Sequence, residues 1–210
     1  MKKHIILITI LFFVIVPSFG QIEVGINVLP GISANRVSSD SDSISFYNDG
    51  VGYKISLGLL LDFEFKKNYY LSTGLYWFPE RVGIKAQLSD ETRTQSYDLQ
   101  YIQLPLNLKL LTDEFSIDKK VFFQVGLAFE FKVNEKGGNL NDIFIDKFNF
   151  YDIKLDFGVG LEMKVGLKTT LITGITYYRG LVNVIKPDSF LKGDLKIKND
   201  YYALNLGVKF

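Results

Sequence analysis

The strongest constraint on this chain is a two-residue alternation of side-chain character that recurs in eight separate segments after residue 20. Between 151 and 163, Ile153, Leu155, Phe157, Val159, Leu161 and Met163 alternate with Asp152, Lys154, Asp156, Gly158, Gly160 and Glu162. Successive side chains of a strand point to opposite faces, so one face here is greasy and the other carries charge and glycine. The same pattern runs through 22–30, 51–65, 69–78, 101–110, 121–133, 170–178 and 201–210. No segment after residue 20 reads as a helix. The fold class is therefore all-β, and the sheet must dispose of its two edges.

The connections alternate in length. Those at 66–68, 112–120 and 164–168 are short, and those at 31–50, 86–96, 134–148 and 180–200 are long and polar. The first twenty residues stand apart: a basic Met1-Lys2-Lys3, the apolar run "IILITILFFVIV", then the small residues of "PSFG". This is the layout of a cleaved secretory signal, and the run is short for a spanning helix. Residues 1–20 are expected to be removed, leaving one domain over 21–210. With Lys2 and Lys3 gone, the remainder lies one charge to the acidic side of neutral. No basic footprint points to nucleic acid.

Alternation alone does not say which face looks inward, because a soluble lipocalin-like barrel also has one apolar and one polar face. Three features favour an apolar exterior. Glycine followed by an aliphatic residue recurs in seven strands (Gly25, Gly58, Gly74, Gly126, Gly160, Gly174 and Gly207), always on the polar face. A narrow eight-stranded interior supplies the steric reason: small residues make room for long neighbours. Aromatics gather towards strand ends, at Tyr53, Tyr69, Tyr70, Trp77, Tyr177, Tyr178, Tyr201 and Tyr202, as girdles at two membrane interfaces would. The chain stops on Phe210, an aromatic on the apolar parity, as an insertion signal for barrel-assembly machinery would. The expectation is a closed eight-stranded antiparallel up-and-down transmembrane β-barrel, with long extracellular loops and short periplasmic turns, in the bacterial outer membrane and in contact with its lipid.

Charges on the inner face must then pair. Glu23, Lys54, Asp62, Glu64, Lys109, Glu130, Lys132, Asp152, Lys154, Asp156, Glu162 and Lys209 are expected to form an ion network that plugs the lumen. Two prolines disturb the pattern. After Pro79, Val82 and Ile84 fall on the charged parity, which a bulge would explain. Pro105 removes a ladder donor in mid-strand, so a bulge or a locally missing bond is expected there.

The leader, the eight strands, "YIQLPLNLKL" at 101–110 and the terminal "YYALNLGVKF" together resemble the PorT-like outer-membrane β-barrel family of the Bacteroidota. The resemblance implies a closed eight-stranded barrel over 21–210 and a role accessory to protein secretion. It supplies no catalytic residues.

The one histidine, His4, lies in the leader, and there is no cysteine. Barrel enzymes that use a histidine base or a thiolate are therefore excluded. Asp152, Asp156 and Glu162 could form an acid/base set, but lumen salt bridges are the plainer reading. "SSDSDS" at 38–43 spaces carboxylates as calcium ligands could be spaced, yet lacks the glycine and distal glutamate of an EF-hand. No cofactor or metal is expected. "DIFI" at 142–145 and "LVNVI" at 181–185 are apolar islands in polar connections, read as strand extensions or partner contacts. The expected function is non-enzymatic: a structural or partner-binding role through extracellular loops or periplasmic turns. A small pore or uptake protein and a soluble lipophile binder are the alternatives.

Overall fold

The computed structural model describes residues 21–39, 45–87, 92–137, 145, 147–186 and 195–210. The leader, 40–43 of "SSDSDS" and 142–144 of "DIFI" lie outside the described residues. Among the described residues, nine strands form one sheet: β1 (Gln21–Ser38), β2 (Ser45–Asn48), β3 (Val51–Lys66), β4 (Tyr69–Gln87), β5 (Thr92–Leu111), β6 (Lys119–Gly137), β7 (Tyr151–Lys164), β8 (Thr170–Gly180) and β9 (Lys196–Lys209). Each pairs antiparallel with its neighbours, and β1 pairs with both β3 and β9. The short β2 pairs only with β4, so the closed wall is eight-stranded. Closure gives each of the eight wall strands two partners, which a sheet in hydrocarbon requires.

The wall is apolar outside. Ile26, Leu59, Leu106, Val159 and Ile175 are about half exposed, while Asp62, Glu130, Lys154 and Asp156 are fully buried. An apolar band of this kind suits a lipid solvent and no other. The glycines do what a narrow interior asks of them. A Cβ on Gly58 would meet the Tyr76 ring at 2.2 Å, and one on Gly160 or Gly174 would meet the Phe122 ring at 2.6 or 3.0 Å. Of the aromatics at strand ends, Tyr53, Tyr69, Trp77 and Tyr202 face outward, but Tyr70, Tyr178 and Tyr201 are buried inside. Phe210 is exposed, with its N–H donated to Val24 at 2.9 Å.

The strands run further than the sequence pattern marks. β4 and β5 pair in one unbroken register from Tyr69↔Leu110 to Gln87↔Thr92. The expected bulge at Pro79 is absent from this ladder. Instead, the chemistry of the two faces exchanges while the alternation continues. Above Pro79 the inward residues Val82, Ile84 and Ala86 are fully buried, and so is Leu99 on β5. The outward residues there are Lys85, Thr94, Ser96 and Asp98, all exposed. The physical reason is a change of solvent. Beyond the bilayer the outside is water, so the same wall must put its apolar side chains inward.

The upper interior is accordingly one apolar core. Phe78, Tyr97, Tyr101, Tyr178 and Tyr201 join residues from the connections: Ile145, Phe148, Val184, Ile185 and Leu195. "LVNVI" thus contributes core side chains, and Phe148 bridges to Ile185. Pro105 sits where the β4–β5 ladder skips Gly74 and Leu75, a local loss of pairing; its carbonyl accepts the Thr73 hydroxyl at 2.6 Å.

Candidate functional site

Below the apolar cap the lumen holds two ionic clusters separated by an amide-rich layer. At the end away from the cap, Lys109 lies 2.8 Å from Asp62 and 2.5 Å from Glu162. Lys209 lies 2.6 Å from Glu23, 3.1 Å from Asp62 and 2.9 Å from Glu162. Two ammonium groups thus share three carboxylates contributed by β1, β3 and β7. Aromatic faces line the same level: Lys109 is 4.9 Å from the Phe122 ring centre and Lys209 is 5.6 Å from that of Tyr70.

The upper cluster has a single cation among the described residues. Lys154 pairs with Glu80 and lies 3.1 Å from Glu130, and carboxylate oxygens of Glu80, Glu130 and Asp152 approach within 4.8 Å of one another. Neutral donors complete it. Gln103 donates to Glu130 at 2.8 Å, Asn199 to Glu80 at 3.0 Å, and the Ile153 N–H to Asp152 at 2.7 Å. Lys154 stands 5.1 Å from the Phe78 ring, the floor of the apolar cap. The cluster could hold a cation by geometry, but its centre is taken by the lysine. Between the two levels, Asp156 accepts from Asn107 at 2.5 Å and Gln124 at 3.2 Å and has no ion pair among the described residues.

Four charges expected in the network lie outside these clusters. Lys54 points inward by parity, yet its ammonium crosses to the outer surface and meets Asp98 at 2.6 Å. Lys132 pairs with Glu135 at the upper rim and donates to the Phe148 carbonyl at 3.0 Å. Glu64 is partly exposed beside Tyr70 and forms no ion pair among the described residues. Asp156, as above, is held by amides. Glu80 was missed in turn, because an assumed bulge at Pro79 hid the continuing parity of Phe78, Glu80 and Val82. Gln103, Asn107 and Asn199 were missed because uncharged amides carry no signal in a charge count.

The second distinctive region is a seam between β3 and β4. β3 pairs with β4 only from Leu57↔Trp77 downward, and β2 resumes the pairing at Asn48↔Ile84. Residues 49–56 therefore face the shorter stretch 78–83 without a ladder. β1 compensates from inside. Asn35 donates its amide to the Gly83 carbonyl at 2.9 Å and accepts the Gly83 N–H at 3.0 Å. Ser33 Oγ likewise accepts the Arg81 N–H at 3.0 Å. Gly52 lies opposite Ser33, and the Arg81 side chain fills the space its Cβ would need, 2.7 Å away. Gly50, with φ of 74°, and Asp49 make the step from β2 to β3, and the Arg81 guanidinium binds the Asp49 carboxylate at 2.9 Å. Outside, the seam opens into a groove of about 670 Å³ lined by Tyr53, Lys54, Ile55, Trp77, Pro79 and Asp98 among others.

Comparison with solved structures returns barrels of the same architecture. OprG of Pseudomonas aeruginosa superimposes with a TM-score of 0.54 at 12% identity, over 90% of this chain and 94% of that one. Neisserial surface protein A superimposes with a TM-score of 0.52 at 13% identity, over 90% of this chain and 95% of that one. At such identities the likeness is one of fold. No curated protein matches the sequence. A family model described as outer membrane protein beta-barrel domain matches residues 19–186. The match covers most of the chain and agrees with a closed wall of lipid-suited sides, and the chain belongs to the outer membrane protein beta-barrel domain family.

Proposed function

We propose that this outer-membrane barrel is a non-enzymatic protein that works at its surface, in a structural or partner-binding role through its extracellular loops or periplasmic turns. A role accessory to protein secretion, by the PorT-like resemblance, is the sharper form of this reading. Export through removal of 1–20 and insertion through a signal ending at Phe210 belong to the same proposal. The observation that carries it is the filled axis: two ionic clusters and an apolar cap occupy the interior from Lys209 to Ile197. Eight strands enclose a space that side chains fill, which leaves little room for a solute path.

Two measurements test it. Purification in mild detergent after cross-linking should recover a stable protein partner; repeated recovery of a lone monomer would count against the reading. Single-channel recording of the reconstituted protein should be silent at neutral pH. A steady conductance would favour the small pore or uptake protein instead.

A further inference from the structure

We infer that the outer groove of the β3–β4 seam is a binding site for an anionic lipid of the surrounding leaflet. Its lower wall is apolar, formed by Tyr53, Ile55, Trp77 and Pro79, at the height where the two faces of the wall exchange their chemistry. Tyr53 is 81% exposed and Trp77 41%, the placement of residues that anchor at a membrane interface. Its upper wall is cationic. Asp98 is the ladder partner of Lys136 on β6 and the ion-pair partner of Lys54. Two ammonium groups therefore border one carboxylate, and Lys136 has no ion pair among the described residues. Such an imbalance at headgroup height attracts negative lipid.

The groove arises from a fault in the wall and is built for occupancy from outside only. Pro79 has no N–H to offer β3, so the missing ladder leaves room between the strands. The Asn35 and Ser33 bonds to β4 close that room on the lumen side. Leu99, fully buried, forms its floor. A lipid can therefore dock in the seam without entering the barrel, its chain against Ile55 and Trp77 and its anionic group between Lys54 and Lys136. The Lys54–Asp98 pair is the competitor it must displace or share.

Trp77 is the only tryptophan of the chain, so its fluorescence reports this groove alone. The full chain is reconstituted in phosphatidylcholine vesicles with a small mole fraction of a brominated lipid, either phosphatidylglycerol or phosphatidylcholine. Brominated phosphatidylglycerol should quench Trp77 about fivefold more effectively than its zwitterionic counterpart. That preference should vanish in the Lys54→Gln, Lys136→Gln double variant and grow in Asp98→Asn, each first shown to be folded by heat-modifiable mobility. Equal quenching by the two lipids in the unaltered protein would overturn the inference. So would a preference that survives loss of both lysines.

Discussion

Lys154 stands alone among three carboxylates, and that count governs what its loss would do. Lys154→Met would leave Glu80, Glu130 and Asp152 buried with no cation. Removing one partner of a buried pair costs about 3–5 kcal/mol. The urea midpoint for loss of the heat-modifiable band should fall accordingly. Lys54→Met provides the contrast, since its partner Asp98 has a side chain 56% exposed. An exposed pair of this kind contributes at most about 1 kcal/mol. Glycines divide in the same way. Gly58→Ala drives a methyl group into the Tyr76 ring, whose other side lies over Gly74, and overpacking of this sort costs about 1–3 kcal/mol. At Gly166 the nearest atom to a Cβ is 3.7 Å away, so Gly166→Ala should leave the same midpoint unchanged.

At the scale of the strand, the exchange of face chemistry above the bilayer is the feature to test. Ile84 points into the upper core and its neighbour Lys85 into water. Ile84→Lys should destabilise the folded barrel by about 3–5 kcal/mol through an unpaired buried charge, while Lys85→Ile should change its unfolding midpoint little. The opposite ranking would mean that the lipid-facing pattern continues upward. The seam makes a second prediction. Asn35→Ala removes both side-chain bonds to Gly83, and hydrogen exchange at the Gly83 amide should accelerate while the amides around Leu71 and Leu108 stay protected. Most of the membrane-spanning wall was legible in the sequence because one solvent, lipid, imposes one rule on alternate residues. The upper wall was not. Val82 and Ile84 obey the rule of a soluble barrel, and a pattern read with a single solvent in mind turns that change into a register error. The seam was illegible for a different reason: Ser33 and Asn35 act on backbone two strands away, across Gly52, and no local spacing announces that reach.

For the whole molecule, closure ties the features together. An apolar belt alone would suit an aggregate, and a charged interior alone would suit a cleft; closing β9 onto β1 lets both exist in one wall. Residues of the first and last strands take part in the interior, since Lys209 meets Glu23 across that junction. A barrel so filled should insert as a silent, heat-modifiable unit. The chain has no cysteine, so single-cysteine spin labels can be placed without background. The most direct test is label accessibility in lipid vesicles at Leu106, Val159, Ile84 and Lys85. Labels at Leu106 and Val159 should collide with dissolved oxygen and not with a water-soluble nickel chelate; the label at Lys85 should meet the chelate; the label at Ile84 should be shielded from both. Chelate access at Leu106 or Val159, or oxygen access of the lipid-facing kind at Ile84, would contradict the assignment of inside and outside on which all else rests.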